Sequence, residues 1–197
     1  MKSSIRTAFI PAVAICLATP AFAHPGHGDP LGLTHGFMHP LSGADHVLAM
    51  IAVGLYAAQL GGRAMWMLPA AFMTAMIAGG AMGYTDVPIP MVEQGMGLSV
   101  IAMGAIIALG FKIPVKVAAV LVAVFAVFHG HAHGSEGSAV ASFLPYAVGF
   151  IVATLGLHLT GIALAQGLNR LEHRRAMFLV RVAGVAGAVA GSVLLAG

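Results

Sequence analysis

Five of the ten histidines in this chain fall in two short runs, and their spacing is the first thing chemistry must explain. Residues 39–46 read HPLSGADH, and residues 128–136 read FHGHAHGSE. On a helix that turns about 100° per residue, His35, His39, Ser42 and His46 share one face within roughly 60°, with Asp45 beside it. His129, His133 and Glu136 share a face of the second run, at spacings of four and three; His131 points away if that helix is regular. Imidazole and carboxylate without thiolate suit borderline divalent ions such as Ni²⁺, Co²⁺, Zn²⁺ and Cu²⁺. Pro40 cannot donate to the carbonyl of Gly36, and Gly43 permits close approach or a bend, so the first run frees a backbone oxygen as well.

The elements that must position these groups follow from composition. The chain has 197 residues, 59% hydrophobic and only 8% charged, with a mean hydropathy of +0.96. A soluble domain carries roughly 25% charged residues. The expected fold class is therefore all-α, a polytopic membrane helical bundle. In that setting an ionised Asp45 near mid-bilayer costs about 2.5–3.5 kcal/mol by insertion scales, which marks the histidine face as functional. The net charge of +3 does not indicate nucleic acid, because the basic residues are scattered singly at helix ends.

Residues 1–23 have a basic start, an apolar run and Ala21-Phe22-Ala23, the pattern of a signal peptide cleaved after Ala23. Cys16 lies in this leader, so the mature chain is expected to hold no thiol, which excludes disulfides, zinc ribbons and cysteine nucleophiles. Residues 24–197 are read as a single transmembrane domain of about six helices, at 33–60, 64–84, 93–111, 115–134, 142–165 and 177–196. Arg63, Lys112, Lys116, Arg170, Arg174, Arg175 and Arg181 then all fall on one side, with Asp86, Glu93 and Glu136 on the other. The positive side faces the cytoplasm, which places both mature termini outside it.

Depth follows from that orientation. The first helix runs inward and the fourth outward, so the two histidine runs should meet near the outer surface. His158, well inside the fifth helix, should lie deeper, near the level of Asp45 and His46. The new N-terminus, HPGHGDP, adds His24, His27 and Asp29, either as a capture site or as a tail. Gly79, Gly83, Ala183, Gly187 and Gly191 are small residues that let helices approach. The twelve methionines are read as core filling rather than copper ligands. Two sets of three helices must have opposite orientation, which leaves open an inverted repeat relating 31–112 to 113–197 by a rotation of about 180°.

HPLSGADH resembles the HPxxGxDH signature of the HupE/UreJ family of nickel and cobalt permeases, which are associated with hydrogenase and urease maturation. FHGHAHGSE is similar to that family's second motif, FHGxAHGxE, and the leader and six spans extend the resemblance over the whole chain. The resemblance implies uptake of a divalent transition metal, Ni²⁺ first and Co²⁺ second, across the bacterial inner membrane, with periplasmic termini and no enzymatic activity. The metal would be transported substrate, with no permanently bound cofactor. Metal-site roles are implied for His39, Asp45, His46, His129, His133 and Glu136; His35, His131 and His158 are added from helical face and depth. The implied partners are the ion and the lipid bilayer, with no nucleic acid; a homo-oligomer is left open. No G-x-x-x-x-G-K-[ST] loop supplies nucleotide energy. A divalent cation moving inward gains about 4.6 kcal/mol per 100 mV, which suffices for a facilitator. Two other readings stay open. One is an intramembrane metal-dependent hydrolase built on Ser42, Asp45, His46, His129 and His133; the other is a metal-binding accessory that transports nothing.

Overall fold

The computed structural model describes residues 32–137, 143–168 and 173–196. The leader, its cleavage site, His24, His27 and Asp29 lie outside the described residues. Seven helices follow in order: α1 (Gly32–Ser42), α2 (Ala44–Leu60), α3 (Ala64–Tyr84), α4 (Val92–Leu109), α5 (Val115–Gly137), α6 (Phe143–Leu168) and α7 (His173–Ala196). No strand occurs among the described residues. Five helices, α3 to α7, are long and apolar enough to cross a membrane, and α1 with α2 make a sixth span when taken together. Large apolar side chains such as Trp66, Val120, Leu144 and Phe178 point outward, as a lipid-facing surface requires.

The first span departs from the single helix expected over 33–60. It is two helices meeting at 81°. Pro40 lies inside α1 and supplies no N–H. The Ser42 hydroxyl donates to the His39 carbonyl at 2.6 Å, closing the last turn locally. Gly43 is extended, with φ −94° and ψ 119°. The Gly43 carbonyl then accepts from Val47 N–H at 3.1 Å and starts α2 afresh. Asp45 sits in the first turn of α2, where a carboxylate complements the helix dipole. The break therefore aims His39 and His46 independently, which one straight helix would not do.

Three interfaces hold the bundle: α3 against α5, α4 against α7, and α6 against both α1 and α2. Each is built on glycines in backbone contact. A Cβ at Gly54 would overlap the His158 carbonyl, and one at Gly134 would overlap the Gly80 carbonyl. Gly161 meets Ile51 and Leu55 as Gly83 meets His131 and Ser135. Gly104 and Gly184 each face the other's carbonyl oxygen. Exchanging the first three spans for the last three leaves these three interfaces unchanged, although α2 also packs on α4 where, among the described residues, α5 makes no comparable contact with α7. Such close approach replaces side-chain burial as the source of cohesion between helices in an apolar medium. Met50, Tyr56, Leu68, Phe72, Met103 and Ile107 fill the centre. The Tyr56 hydroxyl donates to the Phe111 carbonyl at 3.1 Å, tying α2 to the loop before α5.

Candidate metal centre

The two histidine runs meet at one end of the bundle, where α1, α2, α5 and the start of α6 converge. His46 projects from α2, and His129 and His133 from successive turns of α5; all three are buried. His46 Nε2 faces His129 Nδ1 at 3.3 Å, and it lies in close contact with His133 Nε2. The ring centroids of His46 are 4.8 Å from those of His129 and 4.1 Å from those of His133. His46 Nε2 is thus in contact with an imidazole nitrogen from each of two successive turns of α5.

The network around them sets their protons. The Ser99 hydroxyl donates to the Met96 carbonyl at 2.6 Å, so its oxygen is left to accept from His129 Nε2–H at 2.8 Å. The proton of His129 stands on Nε2, and the Nδ1 lone pair faces inward. His46 Nδ1 lies 3.1 Å from Asp45 Oδ1, which holds the proton of His46 on Nδ1 and frees Nε2 for the centre. His133 Nδ1 has Glu136 Oε2 as its neighbour at 3.4 Å, without a hydrogen bond to it. With its proton on that side, His133 presents a third lone pair. Lone pairs aimed at one another repel, and a cation among them reverses the sign of the interaction. Outer acceptors that hold metal-binding imidazoles in the right tautomer recur in metal sites.

A second cluster lies toward the open end. His39, His133 and Glu136 place ligand atoms within 4.8 Å of one another. His39 Nε2–H donates to Glu136 Oε2 at 2.7 Å. His39 is half-buried and Glu136 exposed, so this cluster is reached from solvent. His133 belongs to both clusters, Nδ1 toward one and Nε2 toward the other. His35 is exposed at the rim, its ring 5.9 Å from His39 and 5.5 Å from Tyr146.

The other residues expected at the site are placed differently. Asp45 is the partner of His46 Nδ1 rather than a fourth atom in the cluster. His131 turns to the far face of α5, where Nε2–H donates to the Val87 carbonyl at 2.8 Å, because its neighbours at 129 and 133 take the inward face. His158 stands apart from both clusters, against Phe72 with ring centroids 4.9 Å apart. Ser99, Phe72, Tyr146 and Phe150 border the site and were not expected there. For a lone serine inside an apolar helix, only the tertiary register of α4 against α5 reveals a role.

A family profile described as HupE / UreJ protein matches residues 12–194. Protein HupE of Rhizobium leguminosarum bv. viciae is 44% identical over 186 residues, covering 93% of this chain and 94% of that protein. No solved structure gives a significant match. The chain belongs to the HupE/UreJ family.

Proposed function

We propose that this HupE/UreJ membrane protein carries a divalent transition metal ion, Ni²⁺ first and Co²⁺ second, inward across the bacterial inner membrane to supply hydrogenase or urease maturation. The observation that carries this reading is the convergence of His46 Nε2, His129 Nδ1 and His133 Nε2, with Asp45, Ser99 and Glu136 set behind them. Imidazole ligands with no sulfur select borderline ions over Ca²⁺, Mg²⁺ or Cu⁺. The centre lies at the periplasmic end, with the termini on that side and Lys112 and Lys116 on the cytoplasmic side.

The ion enters at His39, His133 and Glu136, where solvent reaches the ligands. It then passes to His46, His129 and His133. A neutral imidazole offers one lone pair at a time, so His133 serves one cluster or the other. Handover places the His133 proton on Nδ1, beside Glu136, and opens Nε2 to the ion. Three imidazoles leave coordination positions free, unlike the closed tetrahedral cage of a structural site, so the ion can leave again. The membrane potential supplies about 4.6 kcal/mol per 100 mV for a divalent cation. Three main interfaces that are unchanged when the halves are exchanged are what an inverted repeat produces, and such repeats rock around a fixed site in secondary transporters. The test is Ni²⁺ uptake by proteoliposomes holding an inside-negative potential. Uptake above that of empty vesicles, rising with the potential, is expected. Uptake equal to that of empty vesicles overturns the proposal.

A further inference from the structure

Both ring nitrogens of His158 lack a hydrogen-bond partner although the residue is 0% exposed. One turn earlier on α6, Thr154 is also 0% exposed, and its hydroxyl has no partner. Leaving a buried polar group unpaired is destabilising, and an apolar side chain of similar size would avoid that. These groups face the protein interior, where a side chain need not be polar to suit lipid. Their position relative to the centre is specific. The ring of Phe72 lies 5.9 Å from that of His129 and 4.9 Å from that of His158. One aromatic ring therefore separates the three-imidazole centre from the next lone pair. Phe72 also borders a cavity of about 10 Å³ shared with Ser99 and Met103.

We propose that His158, assisted by the Thr154 hydroxyl, is a second station for the divalent cation, and that Phe72 is the apolar plug between the two stations. This rests on the transport reading above. A station with one imidazole and one hydroxyl binds weakly, as a step on the way out requires; a full ligand set there would trap the ion. The Phe72 ring excludes water between the stations, so the ion is never in contact with both sides at once. His158 offers its lone pair when the Phe72 side chain changes rotamer.

The test uses the full chain in proteoliposomes, with Ni²⁺ as the probe, for the wild type and for His158→Leu, His158→Asn and Thr154→Val. For His158→Leu the maximal uptake rate is expected to fall by at least about tenfold, the order seen when a group serving a metal is removed. The Ni²⁺ concentration at half-maximal uptake stays the same, equilibrium Ni²⁺ binding to the detergent-solubilised protein at the outer centre is retained, and thermal stability does not fall. His158→Asn restores part of the rate, since it keeps a ligand atom, and Thr154→Val gives a smaller loss. Wild-type rates in His158→Leu overturn the station. So does a loss of rate accompanied by an equal loss of stability or of Ni²⁺ binding, which marks His158 as structural. Wild-type vesicles that take up no Ni²⁺ overturn the transport reading and the station with it, a pattern distinct from a defect confined to position 158.

Discussion

Gly54 on α2 rests against the His158 carbonyl of α6, and Gly134 on α5 rests against the Gly80 carbonyl of α3 in the same way. That shared register sets the first span of one half beside the first span of the other. Against His46 of the first half it places Ala126; against His129 and His133 of the second it places Ala49 and Val53. Ala126, Ala49 and Val53 lie within one or two turns of those histidines on the same helices, so alanine and valine stand where the register would place further ligands. The backbone frame is repeated, whereas the ligands are not. Cohesion between helices depends on glycines and is indifferent to which half supplies a ligand; metal affinity depends on a few side chains.

The comparison breaks first if the ligands are not what distinguishes the two sets of matched positions. His46→Ala or His129→Ala removes a lone pair from the centre, and Ni²⁺ uptake in proteoliposomes should fall by about a hundredfold or more. Ala126→Gly at the matching position should leave uptake near wild type. Equal effects at the two positions would end the distinction.

Next in size are the residues behind the ligands. Asp45→Asn keeps the shape but no longer holds the His46 proton on Nδ1, and uptake should drop by about 10- to 100-fold, the cost typical of outer-shell partners. Folding should be nearly intact, since a charge leaves the membrane. Ser99→Ala frees the His129 tautomer and belongs at the lower end of that range. Near-normal uptake in Asp45→Asn would make the carboxylate structural.

The frame is sharpened by stability. Gly104 and Gly184 face each other reciprocally, so Gly104→Ala and Gly184→Ala should each destabilise the solubilised protein by about 1–3 kcal/mol, and by similar amounts. Gly156 has nothing within 4 Å of an added Cβ, so Gly156→Ala should be neutral or stabilise by up to about 1 kcal/mol. Thermal unfolding of the three variants checks this. Unequal losses at 104 and 184 would show that the halves do not pack alike.

The smallest effect is expected at His131. Its ring donates to the Val87 carbonyl and faces away from the centre, so His131→Ala should change Ni²⁺ uptake by less than about twofold. A loss as large as that of His129→Ala would return His131 to the ligand set.

Much of this was legible in the chain itself. Spacings of four and three brought His129, His133 and Glu136 to one face, and mean hydropathy and charge made the helical membrane class plain. Two things were not legible, for physical reasons. Pro40 and Gly43 announced a bend, but the angle between α1 and α2 depends on what α6 presents to each, and that is a property of the packed bundle. Ser99 and Phe72 carry no periodic signal, because a hydroxyl or a ring in an apolar helix acquires its role only from what faces it. The part played by Asp45 belongs here too: its spacing put it beside the ligands, and only the contact with His46 Nδ1 shows it working through that ring.

The central claim is that three imidazoles jointly hold the ion, and X-ray absorption at the nickel edge of the Ni²⁺-loaded, detergent-solubilised protein tests it most directly. The account predicts imidazole scattering from about three rings, reduced by one in His129→Ala and unchanged in His131→Ala. A shell of oxygen ligands without imidazole scattering, or a spectrum that His129→Ala leaves untouched, would contradict it.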